Sequence, residues 1–438
     1  MHIFESYSSR FEAEPFAHFS RTHFQDQAFR FGVLLAIVTG FVIPFSTSLT
    51  SVCSGGILLC WLLSGQYRVT FELLKRYRVA TVALLFFAVL AVSLLYTPES
   101  LKHGARNLFK YRQFLMIPVY LSFFLDPKAR QRGVQMFGLA MLLTLIASLS
   151  CWVFEIQGSA RLLDHAVFKN RITQNILMAF LVYLSAWKFL EKPRQHWFYF
   201  VLALIAAINV IAMVPGRSGY LALGILTCLL MYQKLGFKSI VPAVICLGVV
   251  GGLAYSQSAT FQKRINQVFT EIKEYKIAQI RRSGVNLRIE FYENSLHLAK
   301  SNPLLGSGTG SFGMKYKQLA EQNQQISTSN PHNEYMMLLV QNGIIGVGLF
   351  LSFFWSAWRS TRLMTGLDRA LGQAVLAVYF VVCMVNSLML DTTEGSLFGF
   401  LVGLTFAGGA SALSRGGDSV PIVSSSDDEE PPVVCDAA

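Results

Sequence analysis

Residues 79–95 read VATVALLFFAVLAVSLL, without a single charged position. A helical apolar run of this length crosses the roughly 30 Å hydrocarbon core of a bilayer. Its hydrophobicity is continuous, whereas a barrel strand would alternate in segments of about ten residues. The same texture recurs along the chain. A window of about 19 residues yields about twelve spans, centred near residues 39, 56, 88, 119, 143, 181, 206, 226, 248, 350, 379 and 402. Those at 56 and 119 have short apolar cores or carry polar residues. Composition agrees: 53% of residues are hydrophobic, 14% are charged and mean hydropathy is +0.45. A soluble domain carries about 25% charged residues. The expected fold is an all-α integral membrane protein with about twelve transmembrane helices.

The loops orient the spans. With the N-terminus in the cytoplasm, the connections at 67–78, 128–132, 188–194, 234–238 and 359–369 face the cytoplasm, and each is short and basic. That is the positive-inside pattern. The segments 97–112, 215–219, 256–331 and 391–394 then lie outside, which in a bacterium means the periplasm, the host membrane being the inner one. No cleavable signal peptide is expected, because the first apolar run leads into Pro44 without a small-residue cleavage site. The chain thus divides into a cytoplasmic segment 1–28, nine spans in 29–255, a large periplasmic loop 256–331, three spans in 332–410, and a tail 411–438. That tail, with Ser424 to Pro432 acidic and aperiodic, is expected to be disordered and cytoplasmic.

The net charge of +12 is only partly explained by the cytoplasmic loops. Lys102, Arg106 and Lys110 recur every four residues outside and form one basic stripe on a helix. The stripe is either a solvated face at the headgroups or a surface for phosphate. The charge is scattered among membrane loops, so nucleic acid is excluded as a partner. Six of the seven cysteines lie in or near apolar spans and Cys435 is in the tail, so no disulfide framework or metal spacing emerges.

The loop 256–331 carries the chemistry. Phe261, Ile265, Val268, Phe269, Ile272 and Ile280 fall near helical spacing with charges on the other faces, which predicts an amphipathic helix. A weaker helical segment follows at 286–300, then Gly306, Gly308 and Gly310 mark a flexible or tight turn, read either as a phosphate-binding loop or as a close turn against the membrane helices. Further pieces are Arg288-Ile289-Glu290-Phe291-Tyr292 and Asn330-Pro331-His332-Asn333-Glu334-Tyr335.

The ordered run Arg288 … Asn302-Pro303-Leu304-Leu305-Gly306-Ser307-Gly308 … Pro331-His332-Asn333-Glu334-Tyr335 … Gln341-Asn342-Gly343-Ile344-Ile345-Gly346 resembles the O-antigen ligase and polymerase superfamily. Arg217-Ser218-Gly219-Tyr220 is similar to the family's preceding outside loop. The resemblance implies a GT-C-type glycosyltransferase that takes a glycan from undecaprenyl pyrophosphate on the periplasmic face. In a ligase the acceptor is the lipid A–core oligosaccharide, and the chain's length with one large outside loop suits a ligase. A polymerase and a protein O-oligosaccharyltransferase remain the rivals within the family.

The residues fit such a transfer by their own chemistry. The leaving lipid pyrophosphate departs with negative charge. No D-x-D pair occurs in the outside loops, so neither a metal nor another cofactor is expected. Arginine stays charged and binds phosphate with a planar fork, and Arg217 and Arg288 are the first choices. A sugar hydroxyl needs a base, and His332 suits that task. Asn330 is expected to cap the next helix with Pro331 in its first position, holding His332 in the opening turn. Asn333, Tyr292 and Glu290 join Lys102, Arg106 and Lys110 as expected substrate contacts. Glu290, Glu293 and Glu334 are the reserve bases. The reading outside enzymology is a lipid-linked glycan flippase, which would place its cations within the spans and would not need a structured outside loop.

Overall fold

The computed structural model describes residues 22–154, 165–214, 216–278 and 284–416. Among these residues the chain is helical and has no strand. Each of the centres read from hydropathy falls within a helix. Five segments are long and apolar enough to cross a bilayer: Arg78–Leu95, Pro127–Val153, Phe237–Gln257, Glu334–Leu363 and Thr392–Leu413. A sixth arises if Thr47–Leu63 and Gln66–Arg76, bent by 93°, count as one. The other expected spans are shorter or more polar helices. Arg112–Phe123 has 12 residues with Pro118 inside it. Trp197–Ile208 also has 12 and runs on into a π-turn, Asn209–Met213.

The first helix, His23–Val42, starts six residues before the expected boundary of 29. Thr22 accepts from the Gln25 amide while the Gln25 side chain accepts from the Thr22 amide, a capping box. The basic connection at 67–78 is itself helical, Gln66–Arg76, entered through Gly65 at φ 74°. Its polar character across the end of the bundle fits an interfacial helix. The C-terminal helix reaches Gly416, so the expected tail boundary of 411 is corrected. Ser411 is held there by donating to Leu125 O and Ala407 O. The acidic run 424–432 lies outside the described residues.

The core is aromatic. Phe86, Phe114, Phe350, Phe353, Phe354 and Phe398 pack as edge-to-face and tilted rings between four helices. Each such pair adds roughly 0.5–1.5 kcal/mol beyond the area buried. At the end bearing the short basic loops, Arg130 pairs with Asp368 at 2.8 Å and caps the carbonyls of Phe124 and Leu125. At the other end gather the segments expected outside.

One span is broken. Helix Glu334–Ser360 has non-helical dihedrals at Gly343, φ 62° and ψ −161°. The break frees backbone groups that the loop 303–310 takes up. Ser307 N–H donates to Val340 O at 2.9 Å and Gly308 N–H to Gln341 O at 2.7 Å. In return Ile344 N–H donates to Pro303 O at 2.9 Å. The Gln341 side chain accepts from Gly310 N–H, and Asn342 donates to Ser93 and Thr309. The expected tight turn at Gly306, Gly308 and Gly310 is therefore real, with φ of 69°, 92° and 89°. Its role is close packing: a Cβ on Gly308 would lie 2.5 Å from Thr97 Cα. The two motif pieces 302–308 and 341–346 are one interlocked structure.

Gly343 occupies a region of dihedral space that is essentially glycine-only. A Cβ there would also collide with the Leu304 carbonyl. Gly343→Ala is expected to cost at least about 1–3 kcal/mol, read as a lowered unfolding temperature of the detergent-solubilised protein. An unchanged temperature would mean that the break is not needed.

Candidate active site

The site is assembled around the short turn Cys383–Asn386, which follows helix Gly366–Val382. Carbonyls at the end of a helix lack intrahelical partners and seek donors elsewhere. Here three consecutive ones recruit three elements. Cys383 O accepts from Glu334 N–H at 2.8 Å. Met384 O accepts from the Tyr292 hydroxyl at 3.3 Å. Val385 O accepts from the Arg288 guanidinium at 2.9 Å. The turn thereby fixes the His332 segment and the Arg288–Tyr292 helix against one another.

Arg288 and Tyr292 sit one turn apart on helix Gly284–Ala299 and share a face. Burial lowers the pKa of Arg288, and the neighbouring Arg217 acts in the same direction, with Tyr292 and Glu271 opposing. An arginine remains protonated regardless. Two guanidinium groups within electrostatic reach of each other, with Glu271 beside them, are suited to receive an anion. Burial raises the Tyr292 phenol, against the pull of Arg288. Its hydroxyl also donates to His332 O at 3.3 Å.

His332 does not stand in the opening turn of a helix, as expected from the sequence. It is left-handed, with φ 54°, immediately before the N-cap. The cap is Asn333, whose side chain accepts from Met336 N–H at 3.1 Å. Asn330 instead folds into an Asx turn, accepting from His332 N–H at 2.8 Å. The correction has a tertiary cause: Glu334 N–H donates to Cys383 O, which starts the helix after Asn333 and leaves Asn330 and Pro331 outside it. The His332 ring stacks on Phe291, centroids 6.4 Å apart at 25°. Burial pushes its pKa below the ordinary histidine value, Arg288 adds to this, and a hydrogen bond donated by the ring to the Asn386 side chain opposes it. The ring is thereby neutral at neutral pH, the state a base requires.

Arg217 opens helix Arg217–Leu235 behind Gly216. Gly216 and Gly219 press against Asn175 of helix Arg171–Glu191, with no space for a Cβ. The guanidinium reaches Glu271 at 3.3 Å and keeps 35% of its side-chain surface exposed.

The remaining sequence candidates are placed differently. Glu290 is 3% exposed and Glu334 is fully buried, accepting from the Tyr111 hydroxyl and from Met389 N–H. Neither offers a surface to a sugar. Lys102 and Arg106 are exposed on helix Leu101–Lys110, as the stripe predicts, and Lys110 acts electrostatically on Glu334 and Asp391. Gly104 of that helix packs against Thr309 of the interlocked loop, which ties the stripe to the same end of the protein. Sequence reasoning missed the Cys383–Asn386 turn and Glu271. Backbone carbonyls carry no side-chain signal, and Glu271 reads as one more charge on an amphipathic helix.

Residues 201–351 match the family model described as O-antigen ligase. Over that stretch, about a third of its length, the chain is similar to the O-antigen ligase family. The matched stretch includes Arg217, Glu271, Arg288, Tyr292, His332 and both halves of the interlocked loop. The Cys383–Asn386 turn lies beyond it. An uncharacterized protein of Haemophilus influenzae (strain ATCC 51907 / DSM 11121 / KW20 / Rd) is 25% identical over 178 residues, 39% of this chain and 45% of that protein. The match thus covers less than half of either protein.

Proposed function

We propose that this protein is an inverting membrane glycosyltransferase. It moves O-antigen glycan from undecaprenyl pyrophosphate to lipid A–core oligosaccharide on the periplasmic face of the bacterial inner membrane. The observation that carries this reading is Arg288, bound to Val385 O of the helix-terminal turn and within electrostatic reach of both Arg217 and His332. His332 removes the proton of the acceptor hydroxyl as its oxygen attacks the anomeric carbon. The bond from that carbon to the pyrophosphate oxygen breaks, and its electron pair leaves with the lipid pyrophosphate. Arg217 and Arg288 receive the developing charge. Tyr292 and Asn333 hold the His332 segment, while Lys102, Arg106 and Lys110 attract the anionic headgroups. A flippase has no use for a base next to two arginines at one end of the bundle.

Arginine serves here in place of a divalent ion. Among the described residues, no group of three or more His, Cys, Asp or Glu is placed to hold a metal. Transfer by the purified protein in vesicles should therefore survive EDTA. Loss on chelation with recovery in Mg²⁺ or Mn²⁺ would refute the arginine-only account. The test of the whole reading is the lipopolysaccharide of a strain lacking the protein. A ligase predicts loss of all long chains with glycan accumulating on the lipid carrier. Retention of one repeat unit on the core would instead identify a polymerase.

A further inference from the structure

Glu271 is a buried charge that the proposed mechanism does not use. It lies on helix Ala259–Ala278 and is 3% exposed. Its carboxylate meets three donors from three places in the chain. The Arg217 fork approaches at 3.3 and 3.5 Å. The backbone N–H of Val285, at the start of the helix carrying Arg288 and Tyr292, donates at 2.9 Å. The Gln267 side-chain amide, one turn away on its own helix, donates at 2.9 Å. Gly284 permits the approach, since a Cβ there would stand 2.5 Å from both Glu271 oxygens.

We infer that Glu271 is a positioning residue for the donor site: it ties Arg217 to the start of the Arg288 helix, so that both arginines address one pyrophosphate. This rests on the reading that the two arginines hold the donor. A guanidinium presents five N–H donors, and Glu271 engages one edge of Arg217. The 35% of the side chain still exposed leaves other N–H groups for phosphate oxygens. The carboxylate also offsets the repulsion between Arg217 and Arg288, as the ion-pair partner of the first and an electrostatic counter-charge to the second. Without it, Arg217 would be a long, rotamer-rich side chain to be ordered each time donor binds.

The test uses the full-length protein in nanodiscs and undecaprenyl pyrophosphate carrying one repeat unit as the probe. Glu271→Gln keeps the shape and the acceptor for Val285 N–H but removes the charge. Its donor Kd should rise roughly tenfold or more, as loss of a charge-assisted hydrogen bond implies. The KM for lipid A–core should stay within about threefold. In an Arg217→Ala background the same change should cost less than about threefold, because its partner is already gone. Gly284→Ala retains the charge, pushes the carboxylate aside and should weaken donor binding in the same direction, which decides the matter if Glu271→Gln does not fold. Unchanged donor binding in Glu271→Gln would overturn the inference. So would tighter binding, which would make Glu271 a plug, or an equal cost with and without Arg217, which would make it general support for the fold. Donor binding that depends on Arg217 and Glu271, without transfer to lipid A–core, would uphold the positioning role and refute the ligase reading.

Discussion

Arg288→Ala should abolish measurable transfer, with kcat falling by about 10²–10³ from lost leaving-group stabilisation alone. A further loss follows from the fold. The guanidinium fastens its helix to Val385 O, so alanine also releases one tie of the turn that aligns the site. Arg288→Lys should recover only part of the rate. An ammonium neutralises charge, but it cannot hold Val385 O and a phosphate with one planar fork. Single-turnover transfer with purified protein, alongside donor binding, measures both effects. An alanine variant with donor affinity and turnover near wild type would remove Arg288 from the mechanism.

His332→Ala should leave donor affinity nearly unchanged and reduce turnover by about 10²–10⁴, the usual contribution of a positioned base. The pH profile adds an independent check. Burial and Arg288 lower the pKa of His332, so its neutral form persists to more acidic conditions than an ordinary histidine near 6.5. The acid limb of the wild-type rate should therefore lie below that value. Arg288→Ala removes one cause of the depression and should move the acid limb of any residual activity upward. Asn386→Ala removes the opposing hydrogen bond and should move it downward. A limb above 6.5 in the wild type would point to another base.

The fold class was legible because membrane helices write themselves in hydropathy, as at residues 79–95. Their number was less so: helices such as Arg112–Phe123 are buried among neighbours and need neither the length nor the apolarity of a free-standing span. The amphipathic helix through 261–280 was read from its period and is found at Ala259–Ala278. Arg217, Arg288 and His332 stood out as charges without a topological reason outside the membrane. What joins them did not. Val385 acts through its carbonyl, which any residue would supply, and Asn386 follows an unremarkable apolar run. The cap was misread because Asn330 and Asn333 are equally good capping residues, and only the tertiary bond from Glu334 N–H to Cys383 O selects where the helix starts.

The broken helix bears on how the protein is made. A transmembrane segment with an intact ladder can leave the translocation channel on its own terms. Glu334–Ser360 cannot, because the groups opened at Gly343 would meet hydrocarbon unpaired, at several kcal/mol each. Their partners are residues 303–310, which are synthesised first and, in the proposed topology, cross the membrane before this helix arrives. Insertion of the helix is therefore conditional on a loop that has already been translocated and shaped. A chain whose loop fails to cross has no stable place for its last spans, and quality control can recognise it before any active site exists.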